Sequence, residues 1–166
     1  MPDIPADTPM PTPFVSTVMT VQPEWIDYNG HLNMAYYHVL FDRGIDQAVL
    51  LLGLSEEYMK TRQASFFTVE AHVCYLREIG LDDPVRVRLR LLDHDGKRAH
   101  FFEELVHAEE GWTAATLEQM SLHVDMTARK AARWPDDVLE RLQAMQTAHA
   151  GLPVPPQVGR VMKIRR

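Results

Sequence analysis

The sequence predicts an α+β fold in which an antiparallel sheet encloses one long apolar helix. Three observations carry that prediction. A helical pattern runs from Met34 to about Leu52, four β-type runs follow it in succession, and the breaks between those runs are short, polar and glycine-containing.

Taken in order, Met1 to Pro13 is proline-dense and reads as a flexible arm, because proline suits neither helix interiors nor central strands. Phe14 to Val21 is rich in β-branched residues and closes at Pro23, which predicts a strand. Glu24 to Asn33 is loop chemistry. The helix that follows has Asn33 as N-cap and Gly53 as its stop, with Ala35, Val39, Phe41, Ile45, Ala48, Val49 and Leu52 expected inside.

Strands are then expected at 65–75, 84–93, 97–108 and 112–124, as hairpins. In the second of these, Val85, Val87, Leu89 and Leu91 alternate with Arg86, Arg88 and Arg90, so one face is apolar and the other is a basic row expected to be solvated. Trp134 to Ala150 is a second helix with Pro135 in its first turn, and 151–166 is a basic, proline-containing tail. The expected division is an arm over 1–13, the main domain over 14–126, and the helix and tail over 127–166. A sheet built this way has a free edge, and pairing two chains edge to edge is its natural remedy.

At 166 residues the chain suffices for one core. Its net charge of -6 argues against nucleic-acid binding, which needs a basic surface. No run is long and apolar enough for a bilayer, and the N-terminus lacks a basic and apolar secretory leader. A single cysteine, Cys74, makes no internal disulfide. A cytoplasmic protein without membrane or nucleic-acid partners is expected. The eight histidines form no close His pair beside a third ligand, so no metal is expected. Cys74 reads as a buried strand residue rather than a nucleophile.

The densest chemistry is Trp25, Asp27, Tyr28, Asn29, Gly30, His31 and Asn33, immediately before the long helix. A helix N-terminus presents unpaired N–H groups that stabilise an oxyanion. A carboxylate just upstream can activate water or attack a carbonyl held there. Capping and turn formation explain the same residues without any chemistry, and composition alone leaves the two readings level.

Pro23-Glu24-Trp25-Ile26-Asp27-Tyr28-Asn29-Gly30-His31-Leu32-Asn33, with Tyr36-Tyr37 close behind, resembles the signature of hot-dog acyl-CoA thioesterases of the 4-hydroxybenzoyl-CoA type. Thr68-Val69-Glu70-Ala71-His72, the 92–100 segment and Glu118-Gln119-Met120-Ser121-Leu122-His123-Val124-Asp125 resemble the betainyl-CoA thioesterase branch, including the domain joined to carnitine dehydrogenases. The resemblance covers about 14–151. It implies a hot-dog fold and hydrolysis of a short or small polar acyl-CoA, betainyl-CoA among them, with no cofactor beyond the coenzyme A of the substrate. It implies Asp27 as the catalytic carboxylate, the Met34 N–H as carbonyl donor, and Asn33 and His31 bordering that carbonyl.

Trp25, Asn29 and Tyr36 are expected at the substrate, and Glu70 and His72 reach it from a second subunit, since the family builds its sites between subunits. The homodimer, or dimer of dimers, follows from the same resemblance. The aromatic set Trp25, Tyr28, Tyr36, Tyr37 and Trp112 suits a quaternary ammonium. Arg77, Lys97 and Arg98 are candidates for the coenzyme A phosphates. Asn29-Gly30-His31-Leu32-Asn33 departs from the more apolar 4-hydroxybenzoyl pattern, which leaves open whether His31 or Asn33 shares the chemistry and whether Asp27 is nucleophile or base. A non-catalytic acyl-CoA-binding module and a hot-dog hydratase or dehydratase are the rival functions.

Overall fold

A computed structural model describes residues 8–164. The order is β1 (Phe14–Val15), β2 (Met19–Thr20), α1 (Met34–Val49), α2 (Glu56–Arg62), β3 (Ala64–Tyr75), β4 (Pro84–His94), β5 (Arg98–His107), β6 (Thr113–Asp125), β7 (Lys130–Ala131) and α3 (Asp136–His149). The sheet runs β1-β4-β5-β6-β3, with β2 also on β4 and β7 on β6. The named strand pairs are all antiparallel.

The four long strands fall within a residue or two of their expected positions. The expected first strand is two short pieces, because Ser16 breaks it: its hydroxyl accepts the Val87 N–H at 2.9 Å in place of a ladder bond. Two elements escaped the sequence reading. The short helix α2 is capped by Ser55, whose side chain accepts the Tyr58 N–H, and its last turn carries Lys60 and Arg62. The two-residue β7 has no periodicity to detect.

Helix α1 begins where its cap sits: Asn33 Oδ1 accepts the Ala35 N–H at 3.0 Å. A single 3₁₀ turn, Leu50–Leu52, extends it to Gly53, which takes the left-handed φ of +79° that ends helices. Its buried face is Tyr37, Leu40, Phe41, Gly44, Ile45, Ala48 and Val49. Ala35 is exposed and Val39 half-buried, while Tyr37 and Leu40, absent from the expected set, take the inner positions. Gly44 lies on this inner face, and its bare backbone packs directly on Val87 of the sheet.

Val85, Val87, Leu89 and Leu91 are all buried in the core, as their alternation requires. The opposite row is not fully solvated: Arg90 is buried, donating from Nη1 to the Pro153 carbonyl at 2.5 Å, with Nη2 3.9 Å from Glu104. The cause is the segment after α3, which runs back across the outer face of the sheet. Gly159 N–H donates to Glu118 Oε2 at 2.7 Å there. The first seven residues of the expected arm lie outside the described residues. Further along that arm, the Pro11 carbonyl is held 2.9 Å from His149 Nε2.

Candidate active site

The loop between β2 and α1 is built around Asp27. A 3₁₀ turn at Pro23–Trp25 buries the Trp25 indole and brings the chain round, and Ile26 bridges to Leu32. Asp27 N–H donates to the His31 carbonyl and Gly30 N–H to the Asp27 carbonyl, both at 3.0 Å. Gly30 closes this turn at φ +83°, a conformation costly to residues with a Cβ. Asp27 Oδ1 accepts the Asn29 N–H at 2.8 Å, an Asx turn that fixes the carboxylate. Its other oxygen has no protein partner among the described residues.

The loop is tied down by four contacts. Asn33 N–H donates to the Trp25 carbonyl at 2.9 Å and Leu32 N–H to the Ile79 carbonyl at 2.8 Å. The Tyr75 hydroxyl donates to the Met34 carbonyl at 3.3 Å. His31 Nε2 lies 3.1 Å from Glu78 Oε2. Asn33 spends its side chain on Ala35, and the Met34 N–H has no acceptor among the described residues. Fixed carboxylate and open N–H therefore flank the same helix start, the pairing that acyl transfer uses.

Asp27, Asn29, His31, Asn33 and Met34 are thus brought together. Trp25 and Tyr36 stack on each other with centroids 5.3 Å apart, and the Arg43 guanidinium covers Trp25 at 5.0 Å. The other rings disperse. Tyr37 is buried edge-on to Tyr75, and burial raises the pKa of both phenols. Trp112 lies between His107 and the Arg77 guanidinium, which is 3.9 Å from its centroid. Tyr28 stands 98 % exposed beside Asp27.

Glu70 and His72 lie elsewhere in the subunit. Residues directly opposite in a ladder share a face, and Val73 pairs with Leu117 toward α1, which turns His72 and Glu118 to the outer face. There Glu70 and His72 line a cavity of about 520 Å³ with His100 and Glu118, which are 2.9 Å apart. Arg77 precedes the Ile79 anchor of the loop by two residues. Lys97 and Arg98 sit at the β4–β5 hairpin, the opposite end of the strands, where Arg98 Nη2 contacts Asp95 Oδ2 at 2.6 Å. That side-chain bond, with two backbone N–H donors, holds Asp95 down to about 2.

Sequence reasoning missed Tyr75, Glu78 and the Ile79 carbonyl. They lie more than forty residues from the loop they support, and no local pattern reports a contact made only by folding. Among the described residues no three His, Cys, Asp or Glu side chains are grouped to hold a metal, and no helix is long and apolar enough to cross a membrane.

Residues 21–142 match the thioesterase-like superfamily. A betainyl-CoA thioesterase from Pseudomonas aeruginosa is 40 % identical over 142 residues, 86 % of this chain and 89 % of that protein. An L-carnitine dehydrogenase/betainyl-CoA thioesterase from Rhizobium meliloti is 37 % identical over 84 % of this chain, which spans only 28 % of that longer protein. A Staphylococcus aureus protein solved in complex with CoA superposes with a TM-score of 0.87 at 28 % identity, covering 96 % of this chain and 99 % of that one.

Proposed function

The chain belongs to the thioesterase-like superfamily, and from that premise we propose that it hydrolyses acyl-CoA thioesters at Asp27, with a compact quaternary-ammonium acyl group as its preferred cargo. One observation carries the reading of the site: the Asp27 carboxylate is fixed by the Asn29 N–H just ahead of an α1 terminus whose Met34 N–H has no acceptor among the described residues. The thioester carbonyl oxygen lies against that N–H, where developing negative charge meets a fixed dipole.

Two routes share this geometry. In the first, Asp27 removes a proton from water as the water oxygen bonds to the carbonyl carbon. The tetrahedral intermediate then expels coenzyme A thiolate, which takes up the proton. In the second, Asp27 attacks the carbonyl, the thiolate leaves, and water hydrolyses the resulting mixed anhydride to free acid. His31, held by Glu78, and Asn33 border the carbonyl in both.

The cationic cargo is supported by the relatives that carry betainyl-CoA in their names. Trp25 is already covered by Tyr36 and Arg43, so the ring available to such a group is Tyr28, one residue from Asp27. We further infer a cytoplasmic homodimer joined through β3. That strand ends the sheet and exposes Phe67 and Val69, surface an edge-to-edge partner would cover.

Release of free thiol from a panel of acyl-CoAs tests the reading. Betainyl-CoA is expected to turn over faster than neutral acyl-CoAs of similar size, and Asp27→Asn to remove the activity. Equal or faster turnover of the neutral panel sinks the cationic preference. Thiol release undiminished in Asp27→Asn sinks the site.

A further inference from the structure

The outer face of the sheet holds positive charge that the thioester chemistry does not use. Arg86, Arg88 and Arg90 project to that face at alternate positions of β4. Among the described residues Arg86 and Arg88, both half-buried, make no hydrogen bond or ion pair, and the Arg86 Nε is itself buried without an acceptor. Arg90 has the Pro153 carbonyl and, 3.9 Å away, Glu104. Burial lowers the Arg90 pKa against the opposing pull of Glu104, so its charge is poorly compensated. Against an overall charge of -6, these guanidiniums are a local exception.

They border a real space. A cavity of about 630 Å³ lies between Arg88, Arg90, Glu104 and Thr116 on the sheet side and Pro153 and Pro155 on the other. Leu76, Val15 and Val154 add apolar surface. An unpaired guanidinium half out of water, as at Arg88, is costly unless an anion meets it, and the planar forks of Arg88 and Arg90 match oxygens on phosphorus or carbon. Side chains two residues apart on a strand lie about 7 Å apart. A diphosphate, with negative oxygens on both phosphorus atoms, can bridge that interval, and the proline wall leaves room for an attached organic group. The cavity lies across the sheet from α1 and Asp27.

We propose that the pocket between Arg88, Arg90 and the Leu152–Gln157 segment is a second, non-catalytic site for a diphosphate carried on an organic molecule. The proposal does not depend on the thioesterase reading. A nucleoside diphosphate and coenzyme A share the chemistry, and the experiment separates them.

Titration calorimetry of the full chain with inorganic pyrophosphate, adenosine diphosphate and coenzyme A is the test. Pyrophosphate is expected to bind saturably to the wild type and at least tenfold more weakly to Arg88→Gln, with Arg88→Lys between them because it keeps the charge and loses the fork. Asp27→Asn is expected to bind pyrophosphate like the wild type. So is Arg98→Gln, which alters an arginine at the far hairpin. Adenosine diphosphate binding more tightly than pyrophosphate, with the same dependence on Arg88, assigns a nucleotide. Coenzyme A binding at two sites per chain in the wild type and one in Arg88→Gln assigns coenzyme A. No saturable pyrophosphate binding, or equal loss in Arg98→Gln, overturns the site. Failure of both organic ligands to bind more tightly than pyrophosphate overturns the organic half of the proposal.

Discussion

The Asn29 N–H donates to Asp27 Oδ1 at 2.8 Å, so one carboxylate oxygen is committed to the turn and the other is left for chemistry. Asp27→Asn retains the turn, because an amide oxygen accepts the same bond. The variant should therefore fold with an unchanged circular dichroism spectrum and lose thioester hydrolysis by on the order of 10² to 10⁴-fold. Single-turnover hydrolysis in ¹⁸O-water, followed by mass spectrometry of the protein, then separates the routes. Label in the Asp27 peptide marks the nucleophilic path with water entering at the Asp27 carbonyl, and label confined to the acid product marks water entering at the acyl carbon.

Tyr28 is the exposed ring beside that carboxylate. Tyr28→Ala should raise KM for betainyl-CoA several-fold, corresponding to about 0.5–2 kcal/mol of lost cation–π attraction. KM for a neutral acyl-CoA of the same size should stay put. A parallel rise for both substrates would show that Tyr28 meets some other part of the molecule.

Gly44 has no room for a side chain, since a Cβ there meets the Val87 Cβ at 2.5 Å. Gly44→Ala improves helix propensity and yet should destabilise the protein by about 1–3 kcal/mol, the cost of overpacking. Chemical denaturation measures it. Val87→Ala in the same chain should recover part of the loss, and strictly additive effects of the two changes would place the strain elsewhere.

Glu103 is fully buried on the α1 face of β5, and neither of its oxygens has a partner among the described residues. Burial, then the charges of Asp42 and Asp46, hold its pKa well above the ordinary 4.5. The folded chain keeps a proton that the unfolded chain releases, so this group makes stability fall as pH rises from 4.5 toward the raised folded value. Glu103→Gln cannot ionise. Its Tm relative to the wild type should climb between about pH 5 and about pH 8. Parallel curves would mean that Glu103 is ionised in the folded state.

His149 gives the opposite sign. Its Nδ1 accepts the Leu91 N–H at 2.9 Å, and Nε2 faces the Pro11 carbonyl. Burial lowers its pKa below 6.5, against a smaller opposing effect of the Pro11 carbonyl, and His123 is lowered in the same direction. Both contribute stability that is complete above pH 6.5 and lost as pH falls through their lowered folded values. His149→Gln should shrink the drop in Tm between about pH 7 and about pH 5, leaving the share due to His123.

The helix α1, the four long strands and the loop at Asp27 were legible in the sequence because each is written locally. Alternation marks a strand, three-and-four spacing marks a helix, and a cap, a turn glycine and a carboxylate within seven residues mark the site. Ala35 and Val39 show where periodicity fails. Spacing defines an apolar face only to within a fraction of a turn, and packing against the sheet, closest where Gly44 meets Val87, decides the remainder. The basic row on β4 failed for a related reason: alternation said which way Arg90 points, and only the returning chain at Pro153 determined that it is buried.

By itself, then, the sequence determined the class of fold and offered a candidate carboxylate beside a helix terminus, both written in residues close along the chain. The tertiary structure decided which distant groups support that site, and placed Tyr75, Glu78 and Ile79 under the loop. It also set Glu70 and His72 on the outer face and gathered Arg88 and Arg90 around a cavity. Those outcomes depend on strand register and on the path of the chain after α3. Both are fixed by the packing of the whole core, and a local stretch of sequence carries no record of it.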